Sequence, residues 1–215
     1  MTKPAHIGEV LISDFICRRI KSVSNRDNTE GSTAFSLKIS ADYYSLGLWL
    51  ADGYWRTGSV GLTSISQELI KRFSNFLMRV RPDRQLKYQI YSTGKRKHTA
   101  ICVYVNDSLL TNSLMSFKKK SLTIPRRFLP AYFAGRVDGD GHWDQKHRTG
   151  LRIAYGSEFD ARRDLNLLLE YDDNPASLYE YTRAGTWVIY FRKVFLRKIL
   201  PKLRAYSVKL LPRRD

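Results

Sequence analysis

Two Asp-Gly pairs, Asp52-Gly53 and Asp140-Gly141, close two short, largely apolar stretches, and each is followed two positions later by a tryptophan, Trp55 or Trp143. One such pair is an ordinary helix end. Here the whole frame repeats at an offset of 88: residues 44–55 (YSLGLWLADGYW) fall on 132–143 (YFAGRVDGDGHW), and five of the twelve positions match. The matches are Tyr44, Gly47, Asp52, Gly53 and Trp55 with Tyr132, Gly135, Asp140, Gly141 and Trp143. If both stretches are helices packed side by side, Asp52 and Asp140 meet at one end. Two carboxylates held together repel, and a hard divalent cation relieves that repulsion. Mg²⁺ held by one or two carboxylates with phosphate oxygens and waters is suited to phosphodiester hydrolysis, where it activates water and neutralises the leaving oxygen.

That chemistry needs a close helix pair, and the sequence supplies small residues for it. Gly47 and Ala51 are four apart, as are Gly135 and Gly139, so each helix carries a small-residue stripe along which backbones can approach. The glycine after each aspartate is expected in the left-handed cap conformation. Downstream, 57–66 reads as a strand and 67–80 as an amphipathic helix with Leu69, Ile70, Phe73, Phe76, Leu77 and Val80 on one face. RPDR at 81–84 ends it. Residues 85–93 and 98–106 alternate with period two around GKRK at 94–97, a hairpin pattern. Leu86, Tyr88, Ile90, Ile101, Val103 and Val105 then face inward. The second copy repeats this with a strand near 150–156, a helix near 158–170, a hairpin from 177–183 to 186–192 and a helix near 193–203. The expected fold is α+β: two pseudo-symmetric α-β-β-α-β-β-α repeats, each with an antiparallel four-stranded sheet. The repeats occupy 41–126 and 127–215, after an N-terminal extension at 1–40.

With 43% hydrophobic and 13% aromatic residues, the 215-residue chain can bury a core and is not a disordered polymer. Its net charge is +17, from 37 basic and 20 acidic residues. Solubility alone calls for a magnitude of about 2–8, so a polyanionic partner is the better explanation. Residues 1–40, 41–126 and 127–215 carry +2, +9 and +6, so both repeats are basic. The longest apolar runs, AICVYV and WVIYF, are far short of the roughly 20 residues of a spanning helix, which argues against a membrane partner. The N-terminal stretch has no apolar signal core, and Cys17 and Cys102 read as reduced thiols, so an intracellular, non-secreted protein is expected, in cytoplasm, nucleoid or an organelle.

SLGLWLADG at 45–53 and FAGRVDGDG at 133–141 resemble the two signature helices of LAGLIDADG homing endonucleases, and the resemblance extends over roughly 41–215. It implies a monomeric, pseudo-two-fold enzyme that cuts both strands of a long, pseudo-palindromic double-stranded DNA site across the minor groove. It also implies Mg²⁺ at Asp52 and Asp140 with Ala51 and Gly139 beside them, and Mn²⁺ or Ca²⁺ able to replace it for binding. A basic pocket is implied as well: Lys120 in SFKKKSLTIP for the first repeat and, more loosely, Lys209 in YSVKLLP for the second, with Arg204 nearby. The family's polar residue at the end of the first strand falls on Ser64, with Gln67 three residues later; in the second repeat Tyr155 or Gly156 takes that place.

DNA contacts are expected from the strand faces opposite the core, because Lys, Arg and Gln hold phosphates and read base edges. In the first repeat these are Arg56, Ser59, Thr63, Ser64, Lys87, Gln89, Tyr91, Thr99 and Tyr104, with Lys95, Arg96 and Lys97 in the turn. In the second they are Arg148, Arg152, Tyr179, Tyr181, Arg183, Tyr190 and Arg192. Two other functions fit the same fold: an RNA maturase binding structured intron RNA, and a binding-only DNA regulator. Retention of both aspartates favours the nuclease over the maturase, and a metal-dependent cleavage assay separates it from the regulator.

Overall fold

The two signature stretches form the helices α1 (Ser40–Asp52) and α4 (Leu129–Asp140) in a computed structural model that describes residues 35–93, 98–143 and 150–211. After α1 come β1 (Gly53–Arg56), β2 (Ser59–Ser64), α2 (Gln67–Val80), β3 (Lys87–Thr93), β4 (His98–Asn106) and α3 (Ser108–Lys119). After α4 come β5 (Gly141–Trp143), β6 (Leu151–Tyr155), α5 (Glu158–Leu169), β7 (Ala176–Tyr181), β8 (Thr186–Phe191) and α6 (Lys193–Arg204). Each set of four strands makes an antiparallel sheet, in the orders β1-β2-β4-β3 and β5-β6-β8-β7. The architecture is α+β with two sheets of the same topology.

Local chemistry sets the helix starts. The Asp42 carboxylate accepts from the Lys38 and Ile39 amides at 2.8 and 3.0 Å and is paired to Arg79 of α2 at 2.6 Å. Ser66, Asp107 and Ser157 cap α2, α3 and α5 by accepting from Leu69, Leu110 and Asp160 amides. The predicted face of α2 is the buried one: Leu69, Ile70, Phe73, Phe76 and Leu77 join the core, with Val80 packed at its margin.

α1 and α4 bury nearly their whole circumference, Asp42–Leu50 and Leu129–Asp138. A helix buried all round must be apolar or have its polar groups paired. They lie backbone against backbone. A methyl added at Gly47 would fall on the Tyr132 carbonyl, one at Gly135 on the Tyr44 carbonyl, and one at Gly139 on the Ala51 side chain. Contact partners rise together along both chains, so the helices run parallel and Asp52 and Asp140 finish at the same end.

The glycines after the aspartates are not left-handed. Gly53 has φ −69°, ψ 148° and Gly141 φ −78°, ψ 146°, both extended, and each opens a strand directly. Glycine is required there by closeness: a methyl at Gly53 would strike Trp49, and one at Gly141 would strike the Val137 backbone. Among the described residues the left-handed glycines are Gly58, in the β1–β2 turn, and Gly185, before β8. The strand expected at 57–66 is β2, and it is the second arm of a hairpin whose first arm, β1, opens at Gly53.

Register fixes the faces, since directly opposed residues share a side. Val60, Leu62, Tyr88, Val103 and Val105 face the helices, as expected for the last three. Ile90 shares that parity but is 60% exposed, because it lies beyond the reach of α2, whose Ser74 meets the hydroxyl of Tyr88 one pair earlier.

The seam yields a direct test. Gly47→Leu or Gly135→Leu must displace a carbonyl and not merely a side chain, so at least the usual overpacking cost of about 1–3 kcal/mol is expected. That corresponds to melting about 2–4 °C lower for each kcal/mol in a chain of this size. Gly156→Ala, whose added methyl meets nothing within 4 Å, should melt like wild type. Unchanged melting of both leucine variants would remove these glycines from a tight interface.

Candidate active site and nucleic-acid interface

Asp52 and Asp140 stand together at the end of the seam. The position a methyl would take on Gly139 is 3.4 Å from a carboxylate oxygen of Asp52, so the two helix ends are in contact there. Asp52 opens to water on its outer side and Asp140 is half-buried. Burial is the largest influence on both and raises both carboxyl groups above the ordinary aspartate range. For Asp140, Arg136 pulls the other way and Asp52 pushes further up; for Asp52, Lys209 and Arg136 pull down.

The lysines are placed unequally. Lys209 extends its Nζ to the Gly139 carbonyl at 2.6 Å and the Gly141 carbonyl at 3.5 Å, on either side of Asp140. Lys120, the residue the resemblance puts in the pocket, is exposed beyond the end of α3. Lys118, one helical phase earlier, is half-buried with its ammonium 4.1 Å from the centre of the Trp55 ring. Burial pushes the Lys118 ammonium down most, Asp160 pulls it up, Arg136 and Arg163 push it down, and Asp140 pulls it up.

Two charged side chains inside α4 escaped the sequence reading. Arg136, 2% exposed, pairs with the fully buried Asp164 at 2.8 Å. Asp164 also accepts from the hydroxyls of Tyr132 (2.7 Å) and Tyr155 (3.1 Å). Burial is the largest influence on Arg136 and works against its charge, but Asp164, Tyr155, Tyr132 and Asp140 together outweigh it, so the guanidinium stays ionised. One of its nitrogens, Nη1, has no hydrogen-bond partner. Asp138 is buried as well. The trace available in the sequence is two charges besides Asp140 within an otherwise uncharged helix. Tyr155, weighed as a polar group at a strand end, belongs to this buried network.

The site offers hard oxygen donors: two carboxylates with raised affinity for protons, and helix-end carbonyls such as that of Gly139. No group of three or more His, Cys, Asp or Glu side chains able to hold a metal occurs among the described residues. Such a set fits a cation that takes one or two carboxylates and fills its shell with water and phosphate, which is the habit of Mg²⁺.

The sheet faces away from the helices are open. On the first, Arg56, Ser59, Thr63, Lys87, Gln89, Tyr91 and Tyr104 share one parity. Ser64 and Thr99 do not: Ser64 pairs with Ile101 and Thr99 with Ser92, which puts both on the opposite side. Ser64 accepts instead from the Ser66 amide at 3.1 Å. Tyr54 lies across this face, with its hydroxyl 3.3 Å from the Cys102 sulfur and its ring 6.5 Å from Tyr104, and a side chain at Gly61 would collide with it. On the second face Arg152, Tyr179, Tyr181 and Tyr190 cluster. Arg152 donates to the Tyr190 hydroxyl at 3.2 Å, the Tyr181 and Tyr190 hydroxyls are 2.8 Å apart, and Tyr179 meets Tyr190 edge to face at 5.5 Å. Arg183 is exposed in the β7–β8 turn and Arg192 at the start of α6. Lys95, Arg96, Lys97 and Arg148 lie outside the described residues.

This arrangement is the two-repeat LAGLIDADG fold, and a LAGLIDADG-like domain matches residues 44–119. The resemblance drawn from the two signature helices is thereby borne out. The fold is similar to that of I-DmoI, a homing endonuclease, in complex with DNA and Mn: TM-score 0.59 and 18% identity over 76% of this chain and 96% of that one. It is similar to I-DmoI in complex with DNA and Ca, at TM-score 0.60 and 19% identity over 80% and 92%. Full-length DUF199/WhiA from Thermatoga maritima shares the fold at TM-score 0.54 and 18% identity, over 81% of this chain and 59% of that one. No curated protein matches this chain in sequence.

The raised carboxyl groups have a consequence for stability. Because Asp140 holds its proton more tightly folded than unfolded, its contribution is fully present below the ordinary aspartate range and is lost as pH rises through the raised value. In chelator, Asp140→Asn should therefore melt higher than wild type at neutral pH, by roughly 2–4 °C for each kcal/mol gained, and the difference should close in acid. Thermal melts from pH 3 to 8 check this; an Asn variant melting lower at neutral pH would contradict it.

Proposed function

We propose that the protein is a site-specific, metal-dependent DNA endonuclease that cuts both strands of a long duplex target. The observation that carries this reading is the pair Asp52 and Asp140, brought to one end of two parallel helices that lead straight into two sheets with open, basic and aromatic faces. The likeness in fold to I-DmoI, whose structures contain DNA with Mn or Ca, supports it.

Asp52 and Asp140 would hold divalent cation, Mg²⁺ being the best fit, with the Ala51 and Gly139 carbonyls as neighbouring donors. When bound, such a cation lowers the pKa of a water and stabilises charge on the leaving oxygen. Lys118 and Lys209 put an ammonium on each side of the aspartates, where a phosphate and the charge developing on it are stabilised. Arg136 adds a fixed positive charge behind them that no solvent reaches. The open faces would grip the duplex: Lys87, Arg56, Arg152, Arg183 and Arg192 by phosphate and base-edge contacts, and Gln89 by bases. One chain carries both carboxylates and both faces, so it acts as a monomer.

Asp52→Asn or Asp140→Asn should lower double-strand cleavage about 10³-fold or more, several kcal/mol of barrier, while DNA affinity stays within a few fold. Lys118→Met should slow cleavage, and Lys120→Met should not. A binding-only protein would show no metal-dependent cleavage of a randomised-target library by the wild type, and that result would end the nuclease reading.

Binding should fall steeply with salt, by roughly 0.9 in log–log slope for each phosphate contacted. Lys87→Ala or Arg152→Ala should either flatten that slope by about one or relax discrimination by about 1–3 kcal/mol at one base pair of its own half-site. Titration on matched and altered sites at several salt concentrations separates the two. Wild-type behaviour of both variants would remove the open faces from the interface.

A further inference from the structure

Asp138 is 1% exposed, a carboxylate in a helix that is buried from Leu129 to Asp138. Its oxygens take four donors. Oδ2 accepts from the Tyr44 hydroxyl at 2.6 Å and the Val208 amide at 2.7 Å; Oδ1 accepts from the Ser207 hydroxyl at 2.5 Å and the Lys209 amide at 2.9 Å. None of the four belongs to α4. Tyr44 comes from α1 across the seam, and the other three come from the segment after α6, where residues 207–209 have left the helix and the Ser207 amide alone still bonds back to it, at the Leu203 carbonyl. Three of the four bonds tie residues 207–209 to a single buried side chain, so Asp138 is an anchor of that segment.

The anchored segment delivers Lys209 to the site. Its amide is bound to Asp138, and its Nζ reaches the Gly139 and Gly141 carbonyls around Asp140. The first repeat shows why an acid is needed in only one half. Its counterpart of Asp138 is the buried apolar Leu50, and its lysine, Lys118, is carried by the last turn of α3 and steadied over Trp55. A lysine on a helix needs no further anchor; one on an irregular segment does.

We propose that Asp138 is a positioning residue, which by capturing the Ser207 hydroxyl and the Val208 and Lys209 amides fixes the Lys209 ammonium beside Asp140. The inference rests on the reading of Lys209 as part of the hydrolytic site. It assigns the two acids of VDGD separate tasks: Asp140 faces the reacting phosphate and Asp138 holds the residue that assists it.

The full-length protein in chelator is treated with acetic anhydride, and acetylation of Lys209 is followed by mass spectrometry. In Asp138→Asn, which melts cooperatively if the fold survives, Lys209 should be modified about 10-fold faster than in wild type, with other lysines unchanged. Single-turnover cleavage with Mg²⁺ at saturating DNA should fall about 10- to 100-fold, the usual cost of losing a group that orients a ligand, with DNA affinity within twofold. In a Lys209→Met background the same substitution should cost nothing further. Ser207→Ala removes one donor and no charge; it should move acetylation and cleavage in the same directions by less, and it carries the test if Asp138→Asn does not fold. Unchanged Lys209 acetylation, or a cleavage loss that persists in full in the Lys209→Met background, overturns the proposal. Wild-type cleavage by Lys209→Met itself instead overturns the placement of Lys209 in the site, and with faster acetylation in Asp138→Asn it leaves Asp138 holding a segment that plays no part in cleavage.

Discussion

The backbone-to-backbone contact between α1 and α4 is the constraint on which the molecule depends. It requires glycine at 47 and 135, because the opposing groups are the carbonyls of Tyr132 and Tyr44, and peptide carbonyls cannot turn aside as side chains can. Dispersion between two close backbones is large in sum and steep in distance, so the contact tolerates little change. Everything functional is arranged from it: parallel direction puts both aspartates at one end, and each helix hands its chain to the first strand of a sheet.

The two halves share topology but differ in how they are charged inside. α1 presents Leu48 and Leu50 where α4 presents Arg136 and Asp138. Both buried charges of α4 find their partners outside the helix, Arg136 in Asp164 and Asp138 in Tyr44 and the segment after α6. Such pairs add little net stability compared with well-packed apolar side chains, but removing one partner is severe. Their value lies in placement: Arg136 sets a fixed field behind the aspartates and Asp138 anchors the C-terminal segment. The second repeat is therefore held by polar interactions where the first is held by packing.

The sequence reading reached the helices, the seam, the aspartates and the order of strands, because each depends on local spacing or on the repeat. It failed where a distant partner or a half-turn of phase decides. Three consecutive lysines at 118–120 are indistinguishable by composition, and only the end of α3 sends Lys118 inward and Lys120 out. Ser64 and Thr99 were put on the open face, and in each case a one-residue difference in strand parity reverses the side. Arg136 and Asp138 read as ordinary motif positions, since Asp164 and residues 207–209 lie far along the chain. Ile90 has the right parity but no helix above it.

Gly53 and Gly141 continue from helix into strand in extended conformation, with no loop between. A loop would act as a joint and absorb small displacements. Here the carboxylates and the first strand of each sheet belong to one stiff lever whose fulcrum is the seam. Flattening or twisting a sheet against a duplex of slightly wrong groove width would be carried to Asp52 or Asp140 without slack. In the endonuclease proposed above, a contact many residues from the carboxylates would thus change the rate of hydrolysis and not merely the strength of binding, because helix end and strand are one continuous stretch of chain.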